Sequence, residues 1–172
     1  MTFRVSIFAC LLLSLAGCGY GLIGRTSSLP EDIENIYVEP LRNQTTRQQV
    51  ELFMTEAIVN ELVTRRRFDI LKSAASADAV LRGTLTAYTV RPVEFGPDGR
   101  ATSYNVSIRA DMEFKRQGSD EILWAQGQYV FRSDFELEID EQGTVFDTED
   151  INAQIIARQF AQSLITDLLE GF

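Results

Sequence analysis

From Tyr104 to Lys115 the sequence alternates without a fault. Tyr104, Val106, Ile108, Ala110, Met112 and Phe114 fall on one side, and Asn105, Ser107, Arg109, Asp111, Glu113 and Lys115 on the other. Successive side chains of a strand point to opposite faces, so a period of two requires a strand with one buried and one wet face. Such a strand needs neighbours, and the turn signals on either side supply them. Gly96-Pro97-Asp98-Gly99 comes before it, where Pro presets φ and Gly tolerates positive φ. Gly118-Ser119-Asp120 comes after it. Ala79 to Phe95 is extended in pattern and rich in Val, Thr, Leu and Tyr, and Ile122 to about Ile139 carries Trp124, Tyr129, Phe131 and Phe135. The centre is therefore an antiparallel meander with one face in the core.

Helical patterns flank it. Thr46-Arg47-Gln48-Gln49 has the form of a capping box. After it Val50, Phe53, Met54, Ala57, Ile58 and Leu62 keep the three-and-four spacing of one buried helix face. Arg65-Arg66-Arg67 closes that helix, where the macrodipole favours cations. Ile33 to Glu39 reads as a strand ended by Pro40, and Phe68 to Leu71 as another, followed by a small-residue turn from Ser73 to Ala77. Strand, helix, strand in that order implies a parallel pair. A last helix opens at Asp147 or Thr148 and runs to about Leu169, with Ala153, Ala157, Phe160, Ala161, Leu164 and Leu168 as its stripe. The fold class is α+β: two amphipathic helices packed on one face of a mixed, mostly antiparallel sheet of four to five strands.

Composition then removes whole classes of function. The chain has 172 residues, 25 Asp plus Glu against 16 Lys plus Arg, no histidine and two cysteines. A net charge of −9 is the wrong sign for a general nucleic-acid binder, which neutralises phosphates with excess Lys and Arg. Without histidine there is no imidazole base, no Ser-His or Cys-His pair and no usual zinc ligand. Lys72 and Lys115 are the only lysines, and neither stands in a Ser-x-x-Lys spacing. Asp134, Glu136, Glu138 and Asp140 have a calcium-loop look, but Ile139 stands where the loop needs its turning glycine. Their alternation with Phe135 and Leu137 makes them the acidic solvent face of a strand. Gly96 to Gly99 lacks the Gly-Lys-Ser and helix start of a phosphate loop. Carboxylate pairs for glycoside hydrolysis depend on a spatial separation that sequence does not give. The inventory favours binding and scaffolding over catalysis, with no cofactor and no metal.

The N-terminus carries an address. Arg4 precedes the apolar run Val5 to Leu13, which is too short to span a bilayer, and small residues follow it. Leu15-Ala16-Gly17-Cys18 resembles the lipobox of bacterial lipoproteins. That resemblance implies a signal peptide over 1–17, cleavage before Cys18, and diacylation of Cys18 with a further acyl chain, such as palmitate, on the new amine. Cys10 then leaves with the signal, Cys18 is a thioether, and the mature chain keeps no free thiol. Residues 18–28 form a lipidated tether and 29–172 the single domain. Each buried acyl CH₂ contributes about 0.8 kcal/mol, so two or three chains anchor durably. Gly19 after the cysteine, by resemblance to enterobacterial sorting, implies the outer membrane.

Several segments resemble the LPS-assembly lipoprotein family LptE. Cys18-Gly19-Tyr20-Gly21-Leu22 matches its CGYxL opening. Val38-Glu39-Pro40-Leu41-Arg42-Asn43-Gln44-Thr45 matches V-x-P-F-x-N-x-T with Leu41 for Phe, and Ala77-Asp78-Ala79-Val80-Leu81-Arg82-Gly83 matches AD-x-x-L-x-G. Tyr104-Asn105-Val106 and Leu123-Trp124 follow in order. The resemblance implies a lipoprotein that plugs the β-barrel of its partner LptD, helps that barrel assemble, and serves lipopolysaccharide insertion into the outer leaflet. It also implies direct lipopolysaccharide contact. An acidic domain repels that polyanion at long range, so contact requires a local basic patch. Of the basic residues 14 are arginine, the better phosphate ligand, and Arg91, Arg100 and Arg109 flank the Gly96–Gly99 turn as candidates for lipopolysaccharide or barrel contact. The strand-plus-helix motif also resembles lipoprotein activators of peptidoglycan synthases, the alternative reading, and curli-secretion lipoproteins. An activator calls for a longer tether than residues 19–28, and a curli pore for a second apolar hairpin.

Overall fold

The computed structural model describes residues 29–136 and 149–171. The signal, Cys18, the tether, Glu138, Asp140 and the opening of the last helix at Asp147 or Thr148 lie outside the described residues. In chain order the elements are β1 (Asn35–Val38), β2 (Arg42–Asn43), α1 (Val50–Arg65), β3 (Asp69–Leu71), a 3₁₀ turn (Ala74–Ser76), β4 (Ala79–Phe95), β5 (Ala101–Arg116), β6 (Ile122–Glu136) and α2 (Glu149–Glu170).

They build one sheet in the order β3-β1-β4-β5-β6, with β2 also on β4. β3, β1 and β4 are mutually parallel, while β4, β5 and β6 form the antiparallel meander. β2 accounts for the one strand beyond the expected four to five. It continues the line of β1 along β4 after an interruption at Pro40, whose nitrogen has no hydrogen to donate. The ladder is held on either side of the gap by Glu39 N–H to Leu81 O (2.9 Å) and Gln44 N–H to Leu85 O (2.9 Å). Inside the gap Leu41 turns into the core, and its N–H finds Thr55 Oγ1 on α1 at 3.0 Å.

The expected capping box does not form. Helix α1 begins at Val50, after Gln49 in a left-handed conformation (φ 65°), with no side-chain cap. Asn43 organises the preceding loop instead. Its Oδ1 accepts from Thr45 N–H (2.9 Å) and Thr45 Oγ1 (2.8 Å), and its Nδ2 donates to Arg47 O (2.8 Å) and Glu51 Oε2 (2.6 Å). Side-chain to backbone bonds of this kind compete with helix formation, and here they win over Thr45 to Arg47. The apolar stripe of α1 is as the spacing indicates: Val50, Met54, Ala57, Ile58 and Leu62 are buried, with Phe53 partly so.

On α2, Ala153, Ala157, Phe160, Ala161, Leu164 and Leu168 are buried, joined by Ile156 and Ile165. Each helix follows a strand and returns antiparallel to it, so the two helices point the same way. The Arg65 guanidinium on the last turn of α1 accordingly reaches Thr166 Oγ1 near the end of α2 at 3.0 Å. Two dipole-negative helix ends therefore meet where Arg65, Arg66 and Arg67 stand. Both helices cover one face of the sheet, against Leu81, Leu85, Val106, Ile108, Ala110, Met112 and Phe114. Gly83 allows a close approach in this layer, because a Cβ there would overlap Met112 Sδ and lie 3.0 Å from Leu41 Cδ2.

The N-terminal strap, residues 29–34, is tied under the sheet by a single carboxylate. Asp78 Oδ2 accepts from Asn35 N–H (2.7 Å), Glu34 N–H (3.1 Å) and Asn35 Nδ2 (3.2 Å). Arg116 adds an ion pair to Asp32 at 2.7 Å.

Candidate functional site

The second face of the sheet carries no helix among the described residues, and the alternation of β5 makes it polar. Its two halves differ in charge. In the half near β2, Arg82 sits between Glu39 (3.9 Å) and Glu113 (3.8 Å), and Arg42 pairs with Glu39 at 3.7 Å. These rims enclose a shallow depression of about 400 Å³ floored by Gly83, Thr84, Ala125 and Gly127. Every positive charge there has a carboxylate beside it.

The half nearer the β4–β5 turn is different. Across the strands Arg91 lies opposite Asn105, Arg109 opposite Ala87, and Arg132 opposite Ser107. The three guanidiniums line one depression of about 290 Å³ with Thr89, Asn105 and Ser107. Among the described residues, none of the guanidinium groups of Arg91, Arg109 and Arg132 has an ion pair or hydrogen bond. Asp134 stands at the margin, with its Oδ1 occupied by Asn105 Nδ2 at 2.6 Å. Three exposed guanidiniums with free donors form a planar-donor cluster suited to phosphate or carboxylate groups. They provide no nucleophile and no general base.

Two of the three arginines singled out in the sequence, Arg91 and Arg109, are thus brought together. Arg100 is not with them: it lies in the hairpin turn, its N–H on Asp98 Oδ1 (3.1 Å) and its guanidinium 3.7 Å from the same carboxylate. Arg132 is the residue that sequence reasoning missed. Alternation alone put it on the wet face, but only the β5–β6 register sets it beside Ser107 and hence in the cluster.

Elsewhere the titratable groups serve structure. The N–H of Asn35, followed by that of Glu34, holds the Asp78 carboxyl below the usual carboxylate range. A hydrogen bond from Arg116 does the same for Asp32. Burial pushes the Tyr129 phenol up, and its O–H donates to Ser163 Oγ at 2.7 Å. Among the described residues no cluster of acidic or sulfur side chains is arranged to hold a metal. No helix among them is long and apolar enough to cross a membrane.

Comparison with known proteins places this geometry. In structure the chain is similar to the hypothetical protein CT253 from Chlamydia trachomatis, at 10% identity and a TM-score of 0.53 over 81% of this chain and 97% of that one. The PelC dodecamer subunit from Paraburkholderia phytofirmans is similar at 12% identity and 0.50, over 83% and 91%. A minor lipoprotein from Acinetobacter baumannii is similar at 10% identity and 0.50, over 81% and 94%. At such identities these likenesses establish the fold alone. No curated protein matches the sequence. The family model described as LptE, lipopolysaccharide-assembly, matches residues 33–168, from the strap to the last turns of α2. The chain belongs to the lipopolysaccharide-assembly family LptE.

Proposed function

We propose that the chain is an outer-membrane lipoprotein, anchored through acylated Cys18, that sits as a plug in the lumen of the LptD β-barrel and helps that barrel assemble for lipopolysaccharide insertion. The observation that carries this reading is the family match over nearly the whole folded domain. The sheet supports it physically. A plug must present polar surface to a polar lumen, and among the described residues no helix covers the second, charged face of this sheet. The unpaired cluster of Arg91, Arg109 and Arg132 is the local basic patch that an acidic chain needs for contact with a phosphorylated lipid or with carboxylates on the barrel. Arg100, tied to Asp98, extends the same contact at the hairpin tip when that weak exposed pair opens.

The test is purification of the full chain from detergent-solubilised outer membranes. LptD co-purifies in stoichiometric amount, and recovery of a peptidoglycan synthase in its place refutes the assignment. Charge reversal of Arg91 and Arg109 together lowers capture of lipopolysaccharide aggregates and slows barrel maturation. Unchanged capture and maturation would remove the arginine cluster from the proposal while leaving the plug.

A further inference from the structure

Strand β6 is an edge. In the order β3-β1-β4-β5-β6, no strand among the described residues pairs with its outer side. It is 15 residues long, against three for β3 at the opposite edge. Long edges are normally blunted by proline, lysine or bulges, since unpaired N–H and C=O groups template another strand. A bulge with Gln128 at φ 57° does interrupt the lower part. Beyond it, from Tyr129 to Glu136, pairing with β5 is unbroken and the edge carries neither proline nor lysine.

That segment is self-complementary. About Ser133 the sequence reads Phe131-Arg132-Ser133-Asp134-Phe135, with the same aromatic at both ends and opposite charges inside. If two copies pair antiparallel with Ser133 opposite Ser133, each Arg132 faces the other copy's Asp134 on the open sheet face. Each Phe131 then faces the other copy's Phe135 on the helix face. Directly opposed pairs of these kinds are the favourable ones in antiparallel sheets. The neighbouring registers that keep the faces matched are worse: centring on Arg132 opposes two guanidiniums, and centring on Asp134 opposes two carboxylates. Arg132 and Asp134 are exposed, the Arg132 guanidinium has no partner among the described residues, and Phe131 and Phe135 are only partly buried. One turn of α2 before Gln159, which accepts from Ser133 Oγ at 2.5 Å, Ile155 is 37% exposed and adds apolar surface beside the dyad.

From this we infer that, away from its barrel partner, the chain forms a two-fold dimer with a second copy of itself by antiparallel β6–β6 pairing about Ser133. The contact is isologous, so one pairing consumes both β6 edges and closes the assembly, while the outer edge of β4 beyond Leu85 is blunted by Pro92 and by register shifts near it. It goes beyond the plug reading and does not depend on it.

The test uses the full lipidated chain in detergent, freed of partner. Directly opposed residues of an antiparallel pair have Cα atoms about 4.5–5.5 Å apart, within the range for a disulfide. Under mild oxidation Ser133→Cys should therefore give a covalent dimer. Leu52→Cys, on the exposed side of α1, should not, nor should the unsubstituted chain. Arg132→Asp places carboxylates opposite one another twice across the dyad and should weaken the dimer about tenfold in sedimentation equilibrium. Asp134→Arg added to it reverses both charges and should restore the dimer, which separates a lost contact from a lost fold. A monomeric unsubstituted chain, an uncrosslinked Ser133→Cys, or failure of the double reversal to restore association each overturns the inference.

Discussion

Phe160 offers the sharpest check on how the helix layer is joined to the sheet. Its side chain is fully buried. It receives two rings from β6: Tyr129 at 5.7 Å and 79°, and Phe131 at 5.9 Å and 89°. Both are edge-to-face arrangements, and such pairs contribute about 0.5–1.5 kcal/mol beyond the area they bury. Phe160→Ala removes both pairs and leaves a cavity between Ile156 and Leu164, which are buried on the same helix and have little freedom to fill it. Phenylalanine-to-alanine changes in packed cores cost about 3–5 kcal/mol, and two lost ring contacts place this one in the upper half, about 4 kcal/mol. That is a large part of the roughly 5–15 kcal/mol that separates folded from unfolded states. The assay is urea denaturation followed by far-ultraviolet circular dichroism. The midpoint falls while the slope stays constant, as it does when stability changes and compactness does not. Phe160→Leu keeps most of the volume and loses the ring geometry, so it costs about 1–2 kcal/mol. A cost below about 1 kcal/mol for the alanine variant, or equal costs for both variants, would refute the argument that this ring locks α2 onto β6.

Three further outcomes follow from the packing and the ionised groups. Asp78 is held below its ordinary value of 3.8, chiefly by the Asn35 N–H, so its contribution is present above that value and is lost as pH falls through the lower folded one. Asp78→Asn is therefore less stable at neutral pH and loses less on acidification, read as denaturation midpoints at pH 7 and pH 3; Asp32 and Asp120, also lowered, leave a residual slope, and an unchanged slope would sink the assignment. Tyr129 is raised by burial, so its contribution is complete below pH 10 and fades as the pH rises beyond it. Tyr129→Phe removes that alkaline decline and costs about 0.5–1.5 kcal/mol at neutral pH through the lost bond to Ser163; a steep alkaline decline that survives the substitution would point to another group. Gly83→Ala pushes a methyl into Met112 and costs about 1–3 kcal/mol of overpacking, and Met112→Val in the same chain recovers part of it; a thermal melt in which the single variant matches the parent would deny the close approach.

Much of the fold is legible in the chain because period carries it. The alternation from Tyr104 to Lys115 reports a one-sided strand at every position, and the stripe from Val50 to Leu62 reports a helix with one dry side. The start of α1 was illegible for a local reason. Thr46 has the right side chain at the right spacing, but Asn43, seven residues before the helix, already holds that loop's polar groups. Pro40 announces the end of β1 but not the resumption at Arg42, which depends on β4 offering the same edge again three residues on, at Thr84. The arginine cluster shows the same limit. Arg91 and Arg109 flank one turn and are neighbours by hairpin logic, whereas Arg132 joins them across a register that the β6 bulge sets. Arg100 is adjacent to the same turn, yet Asp98 claims it.

Helix α1 and strand β5 each contain 16 residues, but a helical residue advances about 1.5 Å and a strand residue about 3.3 Å. Equal spans of chain therefore become a rod of about 24 Å and a blade of about 53 Å. The exposure of apolar residues along β4 follows that mismatch: Leu85 is fully covered, Val90 is 44% exposed, Val93 50% and Phe95 63%. Past Ser103 the described pairing is that of β4 and β5 alone, closing at Phe95 opposite Ala101. Two-stranded ribbons twist more freely than broad sheets and hold together weakly on their own. The molecule is thus graded from a stiff root to a compliant tip, and amide exchange along β5 should quicken steadily from Phe114 towards Ala101. A partner that grips the root meets a fixed shape, and one that reaches the tip can bend it to fit.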